Sequence, residues 1–193
     1  MKKILLIISA LALTLSLGAQ TKDAVLKNVE KAKATVENPK KASNPAAWMK
    51  LAETYVSAYN YPQSGLWIGA QAMEAKLVLK GQQVLSTETR NCSGIDFTVE
   101  VYEDKEIYFN PDGLLEVINV TKPIMDQPLE CAYEALMKAY DVDVKKSKKE
   151  DIAEQLSKLR DMYINEAMGA YTRGDLKTAN SYFEDEIFWL SGC

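Results

Sequence analysis

Apolar residues recur at the spacing of an α-helix near the start of the chain and again around residue 50. The first stripe predicts an amphipathic helix over residues 21–37 and consists of Val25, Val29, Ala32 and Val36. The second predicts a helix over residues 45–59, which Asn44 can cap and Pro45 can begin. Its apolar face consists of Trp48, Leu51, Ala52, Tyr55, Val56 and Tyr59.

Helical spacing returns over residues 128–140 and continues towards the end of the chain. Ser147 and Glu150 have the spacing of a capping box, and the apolar positions after them predict one long helix over about 148–172. Gly174 and Asp175 interrupt the pattern before a last helix begins. Residues 164–183 therefore predict an antiparallel helical hairpin, in which small residues let the two helices approach closely.

The pattern changes between residues 60 and 127. A short helix is possible over residues 68–80, and period-two alternation follows it. Three strands are predicted, over residues 97–101, 107–109 and 115–120. The sequence Asn110-Pro111-Asp112-Gly113 predicts the turn of a hairpin over residues 106–120, because proline presets φ and glycine accepts a positive φ. Three strands make a small meander, which we expect to lean on the helical part.

Both helical regions resemble tetratricopeptide repeats in the spacing of small and aromatic residues. In the last hairpin, the residues at the small, turn and aromatic positions are Ala167, Gly174, Asp175, Ala179 and Phe183. In the helix at 45–59, the pattern W-x-x-L-G-x-x-Y is matched by Trp48, Leu51, Ala52 and Tyr55, with alanine in place of glycine. The second helix of this earlier repeat is identified at residues 128–140, and the pairing of the two helices would bury Trp48.

The resemblance implies that the first repeat is split. Ala132 lies 84 positions after Trp48, where an uninterrupted repeat has 16, so about 68 residues are inserted. The expected fold is α+β and mostly α, with tetratricopeptide-like hairpins and a small antiparallel meander inserted in the first repeat. The expected segments are a signal peptide (residues 1–19), an N-terminal helix with the first repeat helix (20–59), the inserted segment with its β-hairpin (60–127), and the second helix of the split repeat with the second hairpin (128–193).

The first 19 residues have the composition of a secretory signal. Lys2 and Lys3 precede an apolar and small-residue run that ends at Ala19, and this run is short for a membrane span. We therefore expect secretion across the inner membrane to a periplasmic or envelope location, without membrane insertion after cleavage. Cleavage would remove two of 23 basic side chains and none of 27 acidic ones, changing the formal net charge from −4 to −6. This charge repels nucleic acid and acidic membrane surfaces, so we expect neither as a partner.

The supply of reactive side chains argues against catalysis. Histidine is absent, which removes the commonest general base and the commonest metal ligand. The three cysteines, Cys92, Cys131 and Cys193, do not have metal-ligand spacing, and their odd number leaves at least one without an intrachain partner. We expect no enzyme activity, no cofactor and no metal site.

Residues 21–185 look like the N-terminal region of secreted tetratricopeptide-repeat proteins of the Gram-negative cell envelope. Such proteins bind proteins or peptides on the concave face lined by their first helices, so the resemblance implies a scaffold. The residues carried over to that face are Lys50, Glu53, Ser57, Asn165, Met168 and Thr172. The lysine and asparagine that hold a terminal carboxylate in chaperone-type members are replaced here, so that clamp is missing.

Two alternatives remain open from the sequence. The insert could be a small-ligand or glycan-binding module, with an aromatic platform formed by Trp67, Tyr102, Tyr108 and Phe109. An enzyme is a more distant alternative. In addition, four consecutive bulky apolar residues over 187–190 lack a following repeat to cover them, which indicates either a truncated or frameshifted form of a longer repeat protein or self-association through the C-terminal helix.

Overall fold

The computed structural model describes the backbone of residues 21–191 and the side chains of residues 21–184. The predicted signal peptide, Cys193 and the apolar side chains of 187–190 therefore lie outside the described residues. Within the described part the chain is α+β, with six helices and one four-stranded antiparallel sheet. The helices are α1 (Lys22–Glu37), α2 (Pro45–Asn60), α3 (Ala72–Val78), α4 (Pro128–Val142), α5 (Lys149–Thr172) and α6 (Leu176–Ser191). The strands are β1 (Ser86–Cys92), β2 (Ile95–Val101), β3 (Lys105–Phe109) and β4 (Leu115–Val120).

Side-chain caps account for the starts of the first two helices. The Thr21 hydroxyl accepts a hydrogen bond from the Ala24 amide at 3.2 Å, and the Asn44 side-chain carbonyl oxygen accepts one from the Ala46 amide at 3.0 Å. Each side chain satisfies a backbone donor that the first helical turn leaves without an intrahelical acceptor. The cap predicted at Asn44 is thus confirmed.

The start of α5 differs from the predicted capping box. Lys148 is the N-cap and makes no side-chain cap, whereas Ser147 and Lys148 both donate their backbone amides to the carboxylate of Asp143. Asp143 is buried, and its two oxygens accept at 3.1 and 2.7 Å. An acidic residue from the end of α4 therefore takes the role that the sequence pattern gave to Ser147 and Glu150.

The helices share one hydrophobic core, in which α2 packs against α1 on one side and most extensively against α4 on the other. Helix α5 packs against α4 and α6. The fully buried members contributed by α4 and α5 include Leu136, Ile152 and Leu159. The core therefore joins segments that stand on either side of residues 61–127 in the sequence.

Trp48 lies at the edge of this core instead of inside it. The side chain is partly buried and packs against the helical cluster, and its Nε1 donates to the carbonyl oxygen of Ala42 at 2.8 Å. A fully buried Trp48 was expected from the repeat pattern, so this part of the prediction is wrong. The polar edge of the indole instead finds a partner in the loop before α2.

The sheet is a meander in the order β1-β2-β3-β4. One face packs against α3 and the loop before it, through Ile107, Phe109 and Leu115. The other face buries Phe97, Val99, Tyr108 and Val117. Strand β1 was missed because its sequence, STETRNC, has no apolar alternation and is largely exposed. The sheet therefore has four strands where the sequence predicts three.

The second face of the sheet leans on α5, as expected from the small size of the meander. A Cβ atom placed on Gly169 of α5 would lie 3.3 Å from Cγ1 of Val117 in β4. Helix and strand therefore approach so closely at this point that only glycine fits without displacement of a neighbour. This contact fixes the sheet to the helical part of the chain.

The Asn110 turn is formed as predicted. Oδ1 of Asn110 accepts from the amides of Asp112 and Leu114 at 3.0 and 2.9 Å, and Gly113 has a φ of +77°. Asparagine at the first turn position and glycine at a positive φ are the residues that such a turn favours. The hairpin between β3 and β4 is thereby defined by four residues of local sequence.

Candidate interaction groove

A groove runs between α1 and α2 on the surface of the helical part. Its volume is about 350 Å³. Val25 and Ala32 are the apolar residues of the lining, and the other seven lining residues are polar or charged. The lining residues are Val25, Asn28, Lys31, Ala32, Thr35, Lys50, Glu53, Thr54 and Ser57.

Three of the six predicted interaction residues lie together in this groove. Lys50, Glu53 and Ser57 are exposed on successive turns of α2, because residues three and four apart share a helix face. Nζ of Lys50 lies 2.7 Å from Oε2 of Glu53, and Oγ of Ser57 donates to the backbone carbonyl of Glu53 at 2.8 Å. The exposed ion pair contributes little to stability, so both charged groups can exchange their partner for a ligand at small cost.

Two side-chain hydrogen bonds join α5 to α2. Nε2 of Gln155 donates to Oε1 of Glu53 at 3.4 Å, and the hydroxyl of Tyr59 donates to Oε1 of Glu166 at 2.7 Å. Tyr59 follows Glu53 along α2, and its partner Glu166 follows Gln155 along α5, so the two helices run in the same direction. Glu53 therefore joins the groove lining to α5.

Tyr59 and Glu166 form a partly buried, hydrogen-bonded titratable pair between these helices. Burial raises the pKa of Glu166 above its ordinary value, and the hydrogen bond from Tyr59 and the charge of Arg173 oppose that rise. Burial, together with the charge and hydrogen bond of Glu166, also raises the pKa of Tyr59. The tyrosine therefore stays protonated and acts as the donor, which makes this contact a fixed link between α2 and α5.

The other three predicted residues lie on α5. Asn165 and Met168 are exposed, with half of the Met168 surface accessible, whereas Thr172 is partly buried. They have the same three- and seven-residue spacing as Lys50, Glu53 and Ser57. Within the described side chains no hydrogen bond or ion pair joins the two triplets, so any joint action depends on a ligand that spans both helices.

The contribution of α1 was not recognised in the sequence. Asn28, Lys31 and Thr35 face the groove from α1, at spacings of three and four residues. They form a polar stripe next to the buried valines of that helix. A search for polar side chains at helical spacing beside the apolar stripe would have found them.

The aromatic platform expected in the insert does not form. Tyr102, Tyr108 and Phe109 are almost completely buried, and only Trp67 is exposed, with 49% of its surface accessible. The three buried rings pack within the two clusters of the sheet. They therefore cannot stack on a ligand, and the interpretation of these four residues as one platform is wrong.

A polar network on the sheet is internally satisfied. The Arg90 guanidinium donates to Glu88, to the hydroxyl of Tyr108 and to Glu106, at 3.1, 2.8 and 3.0 Å. Burial opposes ionisation of Glu106, but hydrogen bonds from Arg90, Asn119 and Tyr108 outweigh it and lower its pKa. Burial and the hydrogen bond to Glu106 raise the pKa of Tyr108 to about 12. The network therefore links strands across the sheet, with its charged groups paired to one another.

The described part of the chain contains neither a cluster of metal-ligating side chains nor a helix with the length and hydropathy of a membrane span. No group of three or more cysteine, aspartate or glutamate side chains is placed there to hold a metal ion. None of the helices described is long and apolar enough to cross a bilayer. Two cysteines are described, Cys92 and Cys131, and both are free thiols.

Comparisons with known proteins give no assignment. No model of a protein family matches the chain, and the searches of curated proteins and of solved structures found no match.

Proposed function

We propose that this chain is a non-enzymatic scaffold of the tetratricopeptide type, which binds another protein or peptide in the periplasm or cell envelope. The observation that carries the proposal is that Lys50, Glu53 and Ser57 line an open groove. The repeat pattern selects these three residues independently of the groove. Ligand sites of helical scaffolds are expected on such surfaces between neighbouring helices.

The packing of the helices supports a split repeat. Helix α2 makes its most extensive contact with α4, although residues 61–127 separate them in sequence. Helix α5, the first helix of the next hairpin, runs in the same sense as α2 and is joined to it by the hydrogen bonds Tyr59–Glu166 and Gln155–Glu53. A repeat array needs this relation between successive first helices. On this interpretation, the sheet and α3 are an insertion between the two helices of the first repeat.

The side chains of the groove favour a polar, extended ligand. Lys31 and Lys50 supply ammonium groups, Glu53 supplies a carboxylate, and Asn28 and Ser57 can both donate and accept hydrogen bonds. Further along α5, Met168 offers an exposed apolar contact. A peptide that carries an acidic side chain and an apolar anchor would match both parts of this surface.

Site-specific photocrosslinking tests the proposal. A benzophenone amino acid is placed at Ser57 or at Met168, and in a control variant at Lys138, which is exposed on α4 away from the groove lining. Each variant is expressed with its leader, and crosslinked products are isolated from the envelope fraction of the cells.

We expect the same adduct from Ser57 and Met168 and no such adduct from Lys138. Equal crosslinking from all three positions, or none from the two interaction positions, would contradict the scaffold proposal. Recovery of the unprocessed chain from the cytoplasm would contradict the envelope location.

A further inference from the structure

Strand β1 is an edge of the sheet, and its outer side is open in the part of the chain that the structure describes. The sheet has the order β1-β2-β3-β4, and β1 pairs with β2 alone among the described strands. Thr87, Thr89 and Asn91 are exposed. None of the described backbone–backbone hydrogen bonds outside the helices and strands uses these three residues. One long side of β1 is therefore accessible to another strand.

The turn after β1 decides which backbone groups point to this open side. Ser93 and Gly94 form a two-residue loop with φ of +53° and +88°, and Cys92 pairs with Ile95 at its ends. A hydrogen-bonded pair closes such a loop, and hydrogen-bonded and non-hydrogen-bonded pairs then alternate along an antiparallel ladder. Every second residue back from Cys92 therefore bonds to β2. The N–H and C=O groups of the residues between them point away from the sheet, and these residues are Thr87, Thr89 and Asn91.

The two edges of the sheet differ in their protection. At the edge formed by β4, the amide of Gly69 donates to the carbonyl oxygen of Leu115 at 2.7 Å, and the amide of Leu115 donates to that of Ala70 at 2.8 Å. The chain's own backbone thus covers the start of β4. Proteins protect open edges with proline, lysine or a β-bulge, and β1, with the sequence STETRNC and a continuous register with β2, has none of these.

The sequence of β1 is complementary to itself in an antiparallel arrangement. When Thr89 of two copies stand opposite each other, Glu88 of each copy lies opposite Arg90 of the other. Unlike charges directly opposite each other stabilise a strand pair, whereas like charges destabilise it. Moving the two-fold axis by one residue places Glu88 opposite Glu88 or Arg90 opposite Arg90. The charges therefore select one register, and the symmetry produces each favourable contact twice.

Both charged side chains are accessible at this edge. The side chains of Glu88 and Arg90 are 45% and 33% exposed, and Nε of Arg90 lies 3.1 Å from Oε2 of Glu88. The hydrogen bonds of Arg90 to Tyr108 and Glu106 hold the guanidinium in place on the sheet. A carboxylate accepts several hydrogen bonds, so Glu88 can accept from the arginine of a second copy as well as from its own. Around the axis, the four charges would alternate in sign.

We propose that β1 is a self-association edge, at which two copies of this chain pair antiparallel about Thr89 and their four-stranded sheets become continuous. Three pairs of outward residues supply about six backbone hydrogen bonds, as when an extended peptide adds to an open sheet edge. The contact area is small, so the dimer is weak and depends on concentration. No residue of β1 lines the groove between α1 and α2, so this inference is independent of the proposed function.

Light scattering over a range of concentrations, with reductant present, tests the inference on the chain from Gln20 onward, which contains every element of the described fold. The T89P variant removes the outward N–H at the axis without removing a bond to β2, and T89V keeps that N–H. E88R places an arginine opposite Arg90 of the second copy. Its control is E103R, which makes the same charge change at an exposed residue between β2 and β3.

We expect the unchanged chain to approach twice the monomer mass at about 100 μM and above, as a weak interface does. T89P should weaken dimerisation at least about tenfold and E88R at least about fivefold, whereas T89V and E103R should dimerise as the unchanged chain does. Circular dichroism checks that the variants keep the fold.

Cysteine crosslinking tests the register in a background of C131S with C193S. T89C places two thiols opposite each other across the axis, where Cβ atoms are about 5 Å apart. T87C, an equally exposed position, places them about 13 Å apart along the strand pair, which is beyond the reach of a disulfide. Under mild oxidation, we expect a covalent dimer from T89C and none from T87C or from the background.

Three outcomes would overturn the inference. The first is that the unchanged chain stays monomeric at every concentration. The second is that T89P dimerises as tightly as T89V, or E88R as tightly as E103R, which would place the contact elsewhere, for example on the C-terminal helix. The third is that T89C and T87C crosslink to the same extent.

Discussion

Removal of the Tyr59 hydroxyl tests the link between α2 and α5. In the Y59F variant, Glu166 loses the hydrogen bond that it accepts at 2.7 Å, while the aromatic ring remains in place. A hydrogen bond to a charged acceptor contributes about 1.5 to 3 kcal/mol. Because both side chains are partly exposed, we expect a smaller loss, about 1 to 2 kcal/mol at pH 7.

The loss of unfolding free energy in Y59F should depend on pH, and the ionisation of Glu166 sets the direction of that dependence. The pKa of Glu166 in the folded chain is raised above the ordinary 4.5, because burial disfavours the ionised carboxylate. The folded state is therefore favoured most below pH 4.5, and this part of its stability is lost as the pH rises through the raised pKa. The hydrogen bond from Tyr59 favours the ionised form and reduces this loss. The cost of Y59F should therefore be small near pH 4 and should grow towards pH 7.

Urea unfolding at pH 4.5 and pH 7.5 measures this difference. The Y140F variant is the matched control, because Tyr140 is a half-exposed tyrosine on α4, and we expect its cost to stay below about 0.5 kcal/mol. In an E166Q background, the cost of Y59F should lose its pH dependence. An equal cost at both pH values, or an unchanged pH dependence in the E166Q background, would refute the reasoning.

Three further predictions concern packing, and urea unfolding and circular dichroism check them. G169L should lower the free energy of unfolding by about 1 to 3 kcal/mol, because its side chain must displace Val117, and a cost near zero would contradict the close approach of α5 and β4. L136A should cost about 2 to 5 kcal/mol, since Leu136 is fully buried in the helical core, and a cost below about 1 kcal/mol would contradict its place there. Replacement of residues 106–120 by a glycine-serine linker should preserve most helical circular dichroism, because the helical core contains no residue of the sheet; complete loss of that signal would show one shared core.

The helices could be predicted from the sequence because their signals are local. The stripe from Val25 to Val36 and the cap at Asn44 each specify a helix within a few residues, and the structure agrees with both. The turn at Asn110 is equally local. The α3 helix is shorter than the predicted 68–80, since residues 69–72 instead hydrogen-bond along the start of β4.

Features that depend on distant contacts could not be predicted. Strand β1 has a polar sequence and exists because β2 offers it a hydrogen-bonding edge. Asp143 gives no sign in the sequence that it will cap α5 from the end of α4. The burial of Tyr102, Tyr108 and Phe109 follows from which strand face meets α3 or α5, and aromatic composition alone does not contain that information.

The residues that line the groove could be predicted only in part. Lys50, Glu53 and Ser57 could be found because the repeat pattern fixes their helix face. Lys31 and Thr35 were missed because α1 precedes the recognisable repeat. The sequence thus identifies one wall of the groove, and the structure adds the other.

The most direct test of the scaffold proposal is a calorimetric titration of the chain with the partner identified by crosslinking. Ser57 is replaced by tryptophan to fill the groove, and Lys138 is replaced by tryptophan as the control outside it. The account predicts that S57W weakens binding at least about tenfold, or about 1.4 kcal/mol, while K138W leaves it unchanged. Unchanged affinity in S57W, or an equal loss in both variants, would contradict it.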